Sequence, residues 1–370
     1  MSEFKKIQAY VNRKDNEIEK ETLTIGEPGL NQVLIKMVAC GVCHTDAVVM
    51  NNIMPVPRPS VLGHEGVGIV EKVGPGVMDI QVGDHVVMSY PSCGICDACR
   101  KGHPYACKYS SRLFWGGAYF DGTKALKDKD GTDVSVMFGQ GSFAEYAIAN
   151  TRYCIKVDPE VDLKVLSSLG CGIQTGASSV INVMHPLGGD SVVVFGTGAV
   201  GLAAVMAAKI CGCSPIIAVD IVNERLDLAK ELGATHTINS KEVADVVAKV
   251  KEICDGEGAK YSFESTGHAE LIVTALDSLR SEGTEVFVSA TGPQTISFMP
   301  DLQMMSQCKT LTGVVEGAAD PQTFIPLLVK FYKEGRLPLD KITQYYSFDE
   351  LKQAFADSHS GKVIKPVVVF

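Results

Sequence analysis

Along the first third of the chain, apolar residues come in short runs broken by glycine. "QVLIKMVACGV" (32–42), "VGIVEKVGPGV" (67–77) and "DHVVMSY" (84–90) are rich in β-branched residues and end at turn signals, so each predicts a strand. Such runs suggest an all-β, barrel-like unit. Residues 116–142 are rich in glycine and aspartate and predict a loop. Near residue 173 the pattern changes. "DSVVVFGTGAVGLAAVMAAKICG" reads as strand, glycine turn and helix, and "PIIAVD" as a second strand. "NERLDLAKELGA" is an amphipathic helix stopped by Gly233, and "KEVADVVAKVKEICDG" predicts another helix. "AKYSFEST", "TEVFVSA" and "KTLTGVV" continue the strands, and the tail from residue 349 reads as a helix and then a strand. Strand and helix in alternation predict a parallel sheet covered on both faces. The expected fold class is α/β, a β-rich domain joined to a doubly wound parallel-sheet domain.

Composition narrows the partners. The chain has 370 residues, enough for two domains. A net charge of −9 argues against nucleic acid or an anionic membrane surface as partner. No apolar run approaches a membrane span, and "MSEFKKIQAY" lacks the apolar core of a signal peptide. A cytoplasmic protein is the expectation. Twelve cysteines then need another explanation than disulfides.

Four of them are clustered. "CGICDACRKGHPYAC" spaces Cys93, Cys96, Cys99 and Cys107 by 3, 3 and 8 residues. Four thiolates this close can wrap one zinc ion tetrahedrally, and a four-sulfur site is coordinatively full, hence structural. A bacterial iron–sulfur run requires a shorter last gap followed by proline, which is missing. Four free thiols in a loop is the plainer alternative.

The second constellation is dispersed. A catalytic zinc takes three protein ligands and keeps one position open. Cys43 in "GVCHTD", His64 in "GHEGVG" and Cys171 in "LGCGIQTG" each stand beside glycine and have the composition of a Cys2His site. Spacing alone cannot join His64 to Cys171 across 107 residues. Cys40 and Cys43 also form a C-x-x-C, the spacing of a redox dithiol, but Cys40 reads as a buried strand residue.

The nucleotide signal depends on its context. Gly196, Gly198 and Gly201 form a G-x-G-x-x-G after an apolar strand and open a helix. Asp220 follows Gly201 by nineteen residues, at the end of the next strand. That arrangement is a dinucleotide fingerprint. Asp220 is placed to bond the adenosine ribose and to repel a 2′-phosphate, which favours NAD over NADP.

Taken together, "GVCHTD", "GHEGVG", "CGICDACRKGHPYAC", "LGCGIQTG", "GTGAVG" and "AVD" resemble the zinc-dependent medium-chain alcohol dehydrogenases over essentially the whole length. The resemblance implies a GroES-like catalytic domain (1–172 and 315–370) and a Rossmann NAD-binding domain (173–314). It implies two zinc ions per chain, one structural and one catalytic, the latter on Cys43, His64 and Cys171. It places Glu65 near that metal and Asp46 on the second ring nitrogen of His64. It puts Arg225 beside the adenosine ribose, His44 and Lys365 near the pyrophosphate, and Thr175 and Val200 near the nicotinamide. Thr45 matches the hydroxyl that takes the substrate proton.

Val48 departs from the pattern, because many relatives carry there a histidine that passes the proton on. His44 is one substitute, and exit through ribose and water is another. Within the family, residues 313–343 resemble the aryl-alcohol branch, which implies a primary alcohol of the benzyl type and its aldehyde as substrate pair. Val48, Ser89, Met137, Phe138 and Ala290 are the pocket positions by register, with Ser89 expected to widen the cleft. A broad primary-alcohol dehydrogenase or aldehyde reductase is the alternative activity. A zinc-stapled NAD-binding protein without activity is the alternative of another kind. Relatives are dimers or tetramers, so a homo-oligomer is expected.

Overall fold

The computed structural model describes residues 5–370, and the four residues before them, at the start of the expected catalytic domain, lie outside the description. The described chain divides into two units. One contains the described residues through Cys171 with Asp320–Tyr332 and Leu339–Phe370. The other contains Gly172–Ala319 with Lys333–Pro338. The short segment Lys333–Pro338 thus groups with the second unit, within a stretch the sequence assigned wholly to the first.

The first unit is built of β-structure. Five strands close a barrel: Lys5–Lys14, Glu17–Ile25, Leu126–Lys127, Asp133–Val136 and Ser60–Val61. Two of these strands lie in the stretch 116–142 that the sequence assigned to loop. The two-residue strand Leu126–Lys127 is too short to show any alternation, so composition alone decided that reading. Beside the barrel lies a larger sheet whose centre is Gln32–Gly41, flanked by Gly66–Val73 and by the C-terminal strand Lys365–Val369. Both flanking strands run antiparallel to it, with Cys40 opposite Gly66 and Val367 opposite Gly41. The register brings three chain segments to one edge: the exit of the central strand, the entry of Gly66–Val73 and the entry of Lys365–Val369.

The second unit contains a six-stranded sheet in the order His236–Asn239, Ile216–Asp220, Val192–Phe195, Ala259–Glu264, Leu279–Phe287 and Thr310–Gly313. All neighbours are parallel. The central strand Val192–Phe195 is buried along its full length, as an apolar run between two helix layers must be. The chain winds outward one way from Val192–Phe195 and the other way from Ala259–Glu264. The order therefore reverses between these two strands, and open α/β sheets bind ligands at such a reversal. The helix expected over 241–256 spans only Val246–Ile253, because Asp245 caps it by accepting from the Ala248 N–H at 2.9 Å.

Candidate active site and nucleotide turn

Gly41 ends the central strand of the first unit, and a side chain there would collide with the Glu65 carboxylate. The absence of one lets the two strand ends close together. Cys43 follows at the cap of the short helix His44–Met50, and His64 and Glu65 immediately precede the strand Gly66–Val73. Cys171 follows the 3-10 turn Ser167–Gly170. The ligand atoms of Cys43, His64, Glu65 and Cys171 lie within 4.8 Å of one another. Spacing could not join the last of these to the others, but the fold does.

Asp46 is fully buried and organises the cluster. It accepts from the Cys43 N–H at 3.0 Å, from the Gly63 N–H at 3.0 Å and from His64 Nδ1 at 2.9 Å. That bond leaves His64 Nε2 as the nitrogen for another task, and Nε2 is buried with no hydrogen-bond partner. Two thiols, an imidazole nitrogen without a partner and a nearby carboxylate form the donor set that zinc takes. The residues present fit the metal.

The charges are consistent with this. The Cys43 thiol is held well below its ordinary range, first by a hydrogen bond with Cys171 and then by His64, against the effect of burial. Burial pulls the His64 imidazole down, yet Asp46 and Cys43 together push it well above its usual value. Burial lifts Glu65 to about 7 despite Lys365. Lys365 is buried and forms an ion pair with Glu65, and its ammonium also donates to the Val42 carbonyl at 3.3 Å. The structure therefore places the Lys365 ammonium against the carboxylate of the cluster.

Thr45 is half-buried, with its hydroxyl oxygen 3.8 Å from Cys43 Sγ, and His44 beside it is exposed. Val48 is buried. Ser89 also belongs to this region. It is fully buried and its hydroxyl donates to the Gly170 carbonyl at 2.7 Å, bracing the turn before Cys171. Phe138, in a left-handed backbone conformation, brings its ring 4.9 Å from that of His64. Sequence reasoning missed Gln140, whose amide donates to the His64 and Ser89 carbonyls at 3.1 and 3.0 Å. Its contacts reach across 76 and 51 positions, beyond any local pattern.

Cys93, Cys96, Cys99 and Cys107 form the second cluster, again with ligand atoms within 4.8 Å. Backbone N–H groups of Cys93 and Tyr109 donate to Cys107 Sγ at 3.4 Å, and that of Cys96 to Cys93 Sγ at 3.3 Å. Such bonds favour thiolates: backbone donors lower the Cys96 thiol to about 6, whereas burial pushes the Cys107 thiol up to about 12 against them. Cys40 is buried in its strand, its thiol raised by burial, and has no part in either cluster.

In the second unit Gly196 has φ +88°, and a side chain at Gly201 would collide with the Gly196 carbonyl, so the turn requires glycine at both. Above Gly198, the cap of the helix Ala199–Ile210, a β-carbon would meet nothing within 4 Å. Open space over a helix N-terminus with its free N–H groups is a cradle for a pyrophosphate. Asp220 ends the neighbouring strand, and Thr175, Val200 and Arg225 belong to the same unit. Glu264, which sequence reasoning missed, holds the opposite wall. It accepts from Thr266 N–H at 2.6 Å and from the Thr266 and Ser289 hydroxyls. Its only signal was a charged residue ending a buried strand.

Residues 29–159 match the alcohol dehydrogenase GroES-like domain, and residues 199–333 match the zinc-binding dehydrogenase family. A geraniol dehydrogenase from Castellaniella defragrans is 38% identical over all of this chain and 99% of its own length. The chain belongs to the zinc-dependent medium-chain alcohol dehydrogenases. Among solved structures, a zinc-binding alcohol dehydrogenase domain protein from Burkholderia ambifaria is 45% identical, with a TM-score of 0.97 and full coverage of both chains. The benzyl alcohol dehydrogenase of Acinetobacter calcoaceticus is 44% identical, with a TM-score of 0.95 and 99% coverage of both. The GroES-like and Rossmann-like folds of this dehydrogenase are those of its relatives. None of its described helices is long and apolar enough to cross a membrane.

Proposed function

We propose that this dehydrogenase catalyses the reversible, NAD-linked oxidation of a primary alcohol to its aldehyde, with aryl alcohols of the benzyl type as the preferred class. The reading rests above all on one observation: Cys43, His64 and Cys171 converge as a zinc donor set with the Thr45 hydroxyl beside it. Zinc, when bound, supplies Lewis acidity toward the substrate oxygen. NAD supplies the hydride acceptor. Asp46 fixes the His64 ring so that Nε2 serves the metal. Thr45 Oγ1 takes the hydroxyl proton of the alcohol, and the exposed His44 imidazole is the neighbouring group that can pass it to water. The Lys365 ammonium balances the Glu65 carboxylate and keeps a second buried negative charge from accumulating.

Two zinc ions per chain are proposed, one in each cluster. Asp220, at the end of its strand, supports NAD over NADP. The benzyl class is supported by the 44% identical benzyl alcohol dehydrogenase and by the aryl-branch likeness of residues 313–343. Geraniol and benzyl alcohol both carry the carbinol next to an unsaturated carbon, so both relatives point to an activated primary alcohol. None of the twelve cysteines forms a disulfide, which suits the cytoplasm. A homo-oligomer is supported by the sheet's last strand, Thr310–Gly313, and by exposed Met299, Leu302, Met305 and Val315 in the same unit.

The test is kcat/KM for benzyl alcohol, cinnamyl alcohol, geraniol and ethanol, each with NAD and NADP. Benzyl alcohol should exceed ethanol by at least roughly a hundredfold, within the range that a single methylene is worth in an apolar pocket. Ethanol matching benzyl alcohol would remove the aryl reading and leave the broad primary-alcohol one.

A further inference from the structure

We propose that Thr197, the residue between the first two glycines of the nucleotide turn, is a positioning residue that sets coenzyme preference by locking the Asp220 carboxylate in place. The inference rests on the reading that Asp220 faces the adenosine ribose. Thr197 is fully buried, and both its backbone N–H and its hydroxyl donate to Asp220 Oδ2, each at 2.7 Å. The other oxygen, Oδ1, accepts from the Ile221 N–H at 2.7 Å and the Val222 N–H at 3.1 Å. Four donors therefore hold one carboxylate, two on each oxygen. A carboxylate has about four lone-pair sites, so this one is close to saturated. Rotating it away would break two short bonds at once.

Two consequences follow for the ligand. A 2′-phosphate carries about −1.5 to −2 charges and would meet an anion that cannot swing aside. A ribose hydroxyl, for its part, must share an oxygen already used twice, so the attraction Asp220 offers NAD is modest. Discrimination then comes mainly from rejecting the phosphorylated coenzyme, a common route to specificity. Loosening the lock should help NADP more than it harms NAD.

The experiment measures equilibrium dissociation constants of NADH and NADPH by calorimetry on the zinc-loaded enzyme, with thermal unfolding to confirm that each variant is folded. Thr197→Val keeps the shape and the N–H but removes the hydroxyl donor. It should shrink the NADPH-to-NADH ratio of constants by roughly tenfold, about the worth of a hydrogen bond to a charged group. NADH binding should stay within about threefold on the same grounds, and Thr197→Ser should restore the native ratio. Equal weakening of both coenzymes in Thr197→Val, or an unchanged ratio, would overturn the lock. Should the valine variant not fold, Thr197→Ala carries the same expectation and the same overturning result. Asp220→Ala separates the two levels of the argument. If it admits NADPH while the Thr197 variants do not, only the lock fails. If it leaves the ratio unchanged, the ribose reading of Asp220 fails and the lock with it.

Discussion

The two sulfur clusters of the first unit contain similar atoms held in opposite ways. Cys93 to Cys107 span fifteen residues, and the Cys93 and Cys107 sulfurs accept from nearby backbone N–H groups. Cys43, His64, Glu65 and Cys171 are drawn from strand ends and a turn far apart in the chain, and are braced by a buried aspartate and a buried lysine. A local loop suffices for a closed, saturated metal site. A site that must leave one position open needs ligands from several rigid elements and fixed charges behind them. Zinc in the first is expected to hold the fold, and zinc in the second to act on substrate.

The largest effect that could break this contrast is loss of a dispersed ligand. Cys171→Ser should cost roughly a thousandfold in kcat/KM, the several kcal/mol a Lewis-acid ion contributes. Metal analysis should show one zinc per chain in place of two, with thermal stability nearly unchanged. Cys99→Ala should also leave one zinc but should lower Tm by roughly 5–10 °C, while retaining most activity at low temperature. If the two variants behaved alike, the division of labour would fall.

Two smaller changes sharpen the picture within the dispersed cluster. Thr45→Val should lower kcat by roughly a hundredfold, and Thr45→Ser should recover most of it, as expected of a hydroxyl that moves a proton. Asp46→Asn should weaken zinc affinity by roughly 10–100-fold. Asp46 accepts three bonds through its two oxygens, whereas an asparagine presents an amide to at least one of those donors. Zinc retention under a chelator series measures this, and native retention in Asp46→Asn would mean that the carboxylate does not brace the site.

The contrast also explains what the sequence could reveal. The four-cysteine clip and the turn Gly196–Gly201 with Asp220 are legible because the chemistry is encoded at short spacing. The alternation of strand and helix after residue 173 is legible for the same reason. The barrel strands in 116–142 were not, since a two-residue strand has no period. Neither was the convergence of His64 with Cys171, which depends on the turn Ser167–Gly170, held by Ser89, reaching the end of the strand pair. The bond from Ser89 to Gly170 was not legible either, because it joins positions 81 residues apart. Lys365 was expected near the phosphates because family position suggested a cation there. Its pairing with Glu65 required knowing that the last strand lies beside the central one.

A buried acid that serves no metal is the control for this account. Glu285 lies fully buried in the strand Leu279–Phe287, opposite Ser262, and neither of its carboxyl oxygens has a hydrogen-bond partner among the described residues. Burial pushes its carboxyl up to about 9, the negative neighbours Glu264 and Asp277 add to the shift, and Lys309 opposes it. Glu65, by contrast, has a lysine against it and stays near 7. Between its ordinary value of 4.5 and about 9, Glu285 keeps in the folded state a proton that the unfolded chain has lost. Its contribution is therefore most favourable below that window, and stability falls as pH rises through it. Glu285→Gln removes the proton from the balance. Relative to the parent, the variant should gain nothing at pH 5 and about 1–3 kcal/mol near pH 8.5, the scale of desolvating an unpaired buried group. Thermal unfolding of both proteins from pH 5 to 9 reads the difference directly. Parallel curves would mean that Glu285 does not keep its proton in the folded chain between pH 5 and 9.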